Sequence, residues 1–346
     1  AEVSQGDIDN DDYYQRGDYI GKQGVEKSYE DVLRGEKGMI KRRKVMNKYL
    51  SITDHEPVDG ADIVTTIDVG MQDLSERAVI DKMIERNAKV GVAIVMEVTT
   101  GDVKAIVNMH RGKDGNYYEM KNSAISDLME PGSTFKTASM MLALEEGKAT
   151  LNTKVDCNKG IFPMHGRQMK DHNWHRGGYG VLTFSQILEY SSNIGVSRII
   201  DNAYKDSPQA FVDGLRKMGV GIPLNLPFVG KGEPVIPQPN SKKRYWSKSD
   251  LPWMSIGYVT QQPVISTLTF YNGIANGGKL VKPKFIKAEL ADGQIVREFP
   301  TEVLVEQMCK PSTLKDIQFC LNNVVSIGLG KKAGNGGKLF QVSGKT

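Results

Sequence analysis

The chain has 346 residues, enough for one large domain or two modest ones, and its 25% charged and 39% hydrophobic residues are ordinary for a globular protein. A formal net charge of +4 is too small at this length to argue for nucleic acid. No apolar run approaches the ~18 residues a membrane span needs, and no signal peptide opens the chain. The three cysteines, Cys157, Cys309 and Cys320, are an odd and scattered set that gives no disulfide framework.

Residues 1–60 differ in texture from the rest. Val25, Tyr29 and Leu33 recur every four residues, which predicts a short amphipathic helix stopped by Gly35. Lys41-Arg42-Arg43-Lys44 is flanked by acidic residues without an aromatic platform, so it reads as a solvated strand or loop. Pro57-Val58-Asp59-Gly60 is a turn signal and the expected domain boundary. Asp62 to Ile67 then reads as a strand and Val69 to Asn87 as a helix. Lys89 to Glu97 and Val103 to Met109 form a hairpin around Gly101.

A helix is predicted from Gly132 to Glu146. Two more, Leu182 to Tyr190 and Ile194 to Ala203, are broken at Ser191-Ser192-Asn193. His172-Asn173-Trp174-His175, with Cys157 upstream, lacks the two clear ligand pairs of a structural zinc site and reads as a polar loop. The stretch His165 to Tyr179 is either the rim of a cleft or a surface loop with a packed Trp174. Residues 221–250 read as loop, and Thr267 to Ala275 as helix. Lys279 to Leu290 and Ile295 to Phe299 make a hairpin around Ala291-Asp292-Gly293. Pro311 opens a helix to about Val325, and Lys338 to Thr346 is a final strand. Strands at both ends with helices clustered between them argue for an α+β fold with an antiparallel sheet.

The chemistry-bearing stretch is Ser133-Thr134-Phe135-Lys136. It follows the turn signal Glu130-Pro131-Gly132 and runs into an apolar helix. A serine hydroxyl is a poor nucleophile until a neighbour removes its proton. Residues three apart share a helix face, so Lys136 is placed to be that neighbour. Lysine accepts a proton only when neutral, and desolvation or a second cation lowers its pKa. Lys345 is the candidate second cation. Ser312-Thr313-Leu314-Lys315 has the same spacing, but Ser312 follows Pro311 and reads as a helix N-cap. Ser-x-Asn occurs once, at Ser191-Ser192-Asn193; taken alone it is a polar helix–helix turn. Gly344-Lys345-Thr346 is not a phosphate loop, because Leu339 stands where that motif needs glycine.

Ser-x-x-Lys, Ser-x-Asn and Lys-Thr in this order resemble the three motifs of the penicillin-recognising serine acyltransferases. The whole chain resembles a class B penicillin-binding protein, closer to the division type than to the elongation type. Gly24 to Gly38 resembles part of the non-catalytic pedestal. Asp68 to Gln72 resembles the start of the transpeptidase domain, and Ser255 to Gly278 the segment leading to the last strands. The resemblance implies a pedestal fragment over residues 1–60 and a transpeptidase domain over 61–346, an antiparallel sheet flanked by helices. It also implies further chain on both sides: an anchor and more pedestal before Ala1, and the glycine of the third motif, with its oxyanion-hole amide, after Thr346.

By the same resemblance the protein is expected to be a peptidoglycan D,D-transpeptidase of septal cell-wall synthesis, inhibited covalently by β-lactams. Ser133 would be the nucleophile, Lys136 the base and Ser191 the proton relay. Asn193 would hold the peptide amide and help position Lys136, while Lys345 and Thr346 bind the terminal carboxylate. No cofactor or metal is implied. Expected partners are stem peptides, β-lactams and divisome or glycosyltransferase proteins, with no nucleic acid. The expected location is the extracytoplasmic side of the inner membrane, held by the anchor. A serine β-lactamase, or a β-lactam sensor or divisome scaffold of the same superfamily, is the alternative.

Overall fold

The computed structural model describes residues 1–242, 244–333 and 340–346. Residues 1–60 supply helices α1 (Gln5–Asn10), α2 (Gly24–Ser28) and α3 (Glu30–Leu33), and strands β1 (Met39–Val45) and β2 (Lys48–His55). β3 (Asp62–Thr65), α4 (Val69–Arg86), β4 (Val90–Met96), β5 (Val103–Arg111), β6 (Tyr117–Glu119) and α5 (Ser123–Ser126) follow. A 3₁₀ turn, Gly132–Phe135, runs into α6 (Lys136–Glu145). Next come β7 (Lys154–Asp156), β8 (Ile161–Met164), β9 (Arg167–Lys170) and β10 (Val181–Thr183). α7 (Phe184–Glu189), α8 (Asn193–Tyr204), α9 (Pro208–Lys217), α10 (Asp250–Ser255) and α11 (Val264–Ala275) complete the helical middle. β11 (Leu280–Val281), β12 (Ile286–Ala291), β13 (Gln294–Glu298), β14 (Val303–Val305) and α12 (Pro311–Ser326) close the order.

The named strands pair antiparallel, in the orders β4-β5-β6 and β13-β12-β3. Val103 N donates to Lys284 O, and the Thr66 hydroxyl lies within bonding distance of both the Val103 and Lys284 carbonyls, which stitches the two sheets together. β5 is covered on both faces. Val107 and Met109 pack on Met83 of α4, while Ile106, with Ile94 of β4, packs toward Ile125 of α5 and Ile265 of α11. This is the expected α+β architecture of an antiparallel sheet flanked by helices.

α6 is the centre of the larger core. Lys136 to Ala143 are all buried, against side chains such as Ile194 and Ile200 of α8, Phe211 and Leu215 of α9, and Ile317 and Leu321 of α12. Burying each such side chain is worth about 1.5–3 kcal/mol. A helix enclosed on all sides has no polar stripe, so its polar groups must find partners inside. Thr137 Oγ1 lies 2.7 Å from Tyr271 Oη, and Ser139 Oγ donates to Ser255 O at 2.8 Å.

Several sequence expectations shift. The Gly24–Gly35 helix is two short ones, because Tyr29 leaves helical geometry (φ −122°, ψ 23°) to set its ring edge-on against Phe299. Pro57–Gly60 forms no turn; Val58 pairs with Glu36 in an antiparallel bridge. Leu280–Val281 separates from the hairpin that follows and pairs with β14. Lys310 rather than Ser312 caps α12, with Pro311 in its first turn. Lys338 and Leu339 lie outside the described residues. Residues 340–346 form no strand and are tied to α12 by Gly344 N to Leu321 O and Asn322 Nδ2 to Val342 O. The short elements β6 to β9 and α10 carry too little periodicity to be read beforehand; α9 went unread although Phe211, Val212 and Leu215 give it a clear apolar face. Among the described residues no helix is long and apolar enough to cross a membrane.

The Glu36–Val58 bridge depends on two glycines. A Cβ on Gly35 (φ +65°) would sit 2.2 Å from Val58 O, and one on Gly60 would sit 2.1 Å from Leu33 O. Gly17 shares a positive φ (+91°) but has open space. Gly35→Ala should therefore lower stability by about 2 kcal/mol or more, backbone strain plus overpacking. Gly17→Ala should cost only about 1 kcal/mol, strain alone. Denaturant melts of the two variants, monitored on a Tyr-rich N-terminal signal, check the difference; equal losses would refute the bridge argument.

Candidate active site

The serine of the first motif sits in the 3₁₀ turn at the head of α6. That turn is held from several sides. Gly132 N donates to Gly257 O at 3.0 Å, and a Cβ on Gly257 would meet Gly132 O at 2.0 Å. The Glu130 carboxylate accepts from Val259 N at 2.9 Å, and Tyr271 Oη donates to Thr134 O at 2.8 Å. Ser133 is half-buried, and its hydroxyl has no hydrogen bond among the described residues. The helix N-terminus places a partial positive field beside it.

The second motif is a junction between two helices. A capping box, Thr183 with Gln186, starts α7. The chain then leaves α7 with Ser191 in the left-handed region (φ +53°), a conformation rare for a residue with a side chain. Ser192 begins α8 as its N-cap, accepting from Gly195 N at 2.9 Å. Asn193 follows as the first helical residue. Ser191 thus points away from both helices while its neighbours are fixed by them.

The third motif completes the cluster. Lys136 is fully buried, and its Nζ donates to Ser191 O at 2.6 Å and to Ser191 Oγ at 3.1 Å. Lys345 Nζ reaches the same Oγ at 2.8 Å, and Ser191 Oγ donates to the main-chain oxygen of Thr346 at 3.3 Å. Two ammonium groups therefore converge on one hydroxyl. Burial, and then the Lys345 charge, push Lys136 down to about 7 against an opposing pull from Asp171. Burial pushes Lys345 down to about 8. Near neutral pH the cluster can hold one neutral amine, a proton acceptor, with a hydroxyl bridging to a second amine that can carry the charge.

Ser133, Lys136, Ser191, Asn193, Lys345 and Thr346 all lie on the elements that meet here, with two differences in detail. Lys136 Nζ is bonded to Ser191 rather than to Ser133, through the Ser191 carbonyl and hydroxyl. Asn193 Nδ2 donates to Lys170 O at 2.7 Å, so its amide braces the 165–179 loop rather than Lys136. That loop borders the site through Lys170 and Asp171. Trp174 is 44% exposed under Lys170 Nζ, 4.5 Å from its ring. Ser312 and Lys315 are exposed at the start of α12, where Lys310 N meets Glu145 at the far end of α6, about 18 Å from Ser133 at 1.5 Å per residue.

Sequence reasoning missed Asp171, Glu130 and Tyr271. Glu130 abuts the serine turn and could have been read from its position. Asp171 had no signal beyond its place in a polar loop, and Tyr271 none at all, since both act through contacts distant in sequence.

A serine turn at the head of a buried helix, a desolvated lysine three residues on, and a second serine and lysine meeting it match the motif set of the penicillin-recognising serine acyltransferases. Comparison with known proteins narrows the class. Residues 91–346 match the penicillin binding protein transpeptidase domain, and residues 1–65 the penicillin-binding protein dimerisation domain. The chain belongs to the penicillin-binding protein transpeptidase family. It is 30% identical over 277 residues to the peptidoglycan D,D-transpeptidase FtsI of Buchnera aphidicola, covering 77% of this chain and 46% of that protein. With FtsI of Escherichia coli K12 it shares 29% over 248 residues, 70% of this chain and 40% of the other. The chain thus spans about half the length of the curated relatives it matches. Among solved structures, penicillin-binding protein 2B of Streptococcus pneumoniae R6 superposes with TM-score 0.78 at 18% identity, covering all of this chain and 61% of that one. Penicillin-binding protein 3 of Mycobacterium tuberculosis superposes with TM-score 0.73 at 25% identity, covering 88% and 65%.

The convergence of the two lysines has a direct spectroscopic consequence. Lys136 should titrate near pH 7 in the Cε carbon shifts of labelled lysine. In Lys345→Met the like charge is gone, so the Lys136 transition should move to higher pH. A transition that stays in place in the variant would show that the two lysines are uncoupled.

Proposed function

We propose that the protein is a peptidoglycan D,D-transpeptidase, cross-linking stem peptides through a Ser133 acyl-enzyme. The observation that carries this is the buried Lys136, brought to about 7 and bonded to Ser191, at the head of the helix that presents Ser133. Neutral Lys136 accepts the Ser133 proton as Oγ attacks the carbonyl carbon of the penultimate D-Ala. Lys136 Nζ is bonded to Ser191 here, and catalytic contacts of this kind commonly tighten only with substrate in place. The tetrahedral intermediate collapses with cleavage of the C–N bond. The proton passes through Ser191 Oγ to the leaving D-Ala amine. Lys345, with Thr346, binds the terminal carboxylate, and Asn193 faces the peptide amide. An amine from a neighbouring stem peptide attacks the ester and returns Ser133 to its free form. A β-lactam presents a similar carbonyl and carboxylate and acylates the same serine.

Residues 1–60 form part of a non-catalytic pedestal and 61–346 the catalytic domain. The relatives named FtsI favour a septal role, with divisome or glycosyltransferase proteins as partners. The site faces the extracytoplasmic side of the inner membrane, and a segment outside residues 1–346 supplies the anchor.

Incubation of the full-length protein with labelled penicillin tests this reading. A stable adduct is expected, lost in Ser133→Ala and retained in Ser312→Ala. Labelling that survives Ser133→Ala would remove Ser133 as the nucleophile. Rapid release of the label would favour a β-lactamase instead, and a stable adduct with no product in a donor–acceptor peptide assay would favour a sensor.

A further inference from the structure

Beneath the Ser191 turn lies a carboxylate that the acyl-transfer scheme does not use. Asp171 is 1% exposed. Ser192 Oγ donates to it, 2.9 and 3.0 Å from its two oxygens, and Ile194 N donates to Oδ1 at 3.0 Å. Its own backbone is anchored by Asp171 N to Gly160 O and Trp174 N to Asp171 O. The carboxylate thus closes the N-terminus of α8, where the helix dipole favours an anion. Every one of these bonds runs toward its oxygens, so the geometry holds the ionised form, although burial raises its pKa.

Two consequences follow from this placement. The left-handed Ser191 has no side-chain bond to a helix of its own, so its position depends on Ser192, and Ser192 depends on Asp171. In addition, Asp171 is the anion that acts on Lys136, opposing burial and Lys345. Two other groups packed beside it carry raised pKa values. Cys157, 3.4 Å from Ser192 Oγ, is pushed up to about 11 by burial, with Arg198 and Asp156 beyond it. Tyr179 is raised to about 12, and its hydroxyl meets His172 rather than Asp171.

We propose that Asp171 is a positioning residue for acyl transfer: it clamps Ser192 and the first turn of α8 so that Ser191 stays in register with Lys136, and it places an anion behind the turn that holds the Lys136 amine. The proposal rests on the transpeptidase reading above.

The test is the second-order rate of penicillin acylation against pH for the parent protein, Asp171→Asn and Ser192→Ala. Neutral Lys136 is the reactive form, so the rate rises through its pKa. Losing the anion should lower that pKa. In Asp171→Asn the acid limb should move to lower pH by about half a unit or more, and the plateau should fall at least ~10-fold through misplacement of Ser191. In Ser192→Ala the carboxylate remains, so the plateau should fall while the limb keeps its place. A purely structural role would lower the plateau and leave both limbs alone. An unmoved limb in Asp171→Asn, or a parental plateau in Ser192→Ala, overturns the proposal; should Asp171→Asn not fold, the Ser192→Ala plateau decides. A parent protein that forms no adduct fails the transpeptidase reading itself, a result distinct from either variant outcome.

Discussion

The structure depends on keeping a lysine amine out of water. An isolated ammonium in a protein interior costs several kcal/mol even after relaxation, so the surroundings must either pair it or let it lose its proton. Here they do some of each. Lys136 rests on the carbonyl and hydroxyl of Ser191, Asp171 lies behind that turn, and Lys345 tilts the balance toward the neutral amine. The arrangement requires that α6 be enclosed on every side and that the Ser191 turn be rigid. Most of the helical half of the molecule serves those two requirements.

Seen this way, the polar groups inside the core are supports. Tyr271 braces the serine turn through Thr134 O and meets Thr137, and Ser139 ties α6 to the end of α10. Gly132 and Gly257 bring two backbones into contact where no side chain fits. The antiparallel sheet, filled on both faces, offers the helices a fixed wall. Its connection to the β12 sheet through the Lys284 carbonyl and the Thr66 hydroxyl makes the early and late parts of the chain one body.

How much of this the sequence disclosed varies with the kind of interaction. Val69–Arg86, the β4–β5 hairpin and α12 were legible because their periodicity and turn residues are local. Ser133, Lys136 and the Ser191 turn were legible because their chemistry is written in short spacings, and the order of three motifs gave them context. Tyr29 shows the limit: its four-residue spacing implied a continuous helix, but an aromatic contact with Phe299, 270 positions away, outweighed it. Asp171 was hidden for the same reason. A buried acid in a polar loop looks like any solvated aspartate until α8 is placed over it. The expected last strand lacked a partner edge within the described residues, and residues 340–346 bind α12 instead.

The β1–β2 hairpin stands apart from all this. Every residue of both strands is exposed, and neither face rests on a core. A two-stranded ribbon without such support is marginal in water. Its cross-strand amides should therefore exchange with solvent deuterium through local opening, while those of α6 and β5 wait for global unfolding. The molecule then has two grades of order. The core around α6 is a slow, cooperative unit, and the hairpin is a fast one that can open and close without disturbing the Ser191 turn.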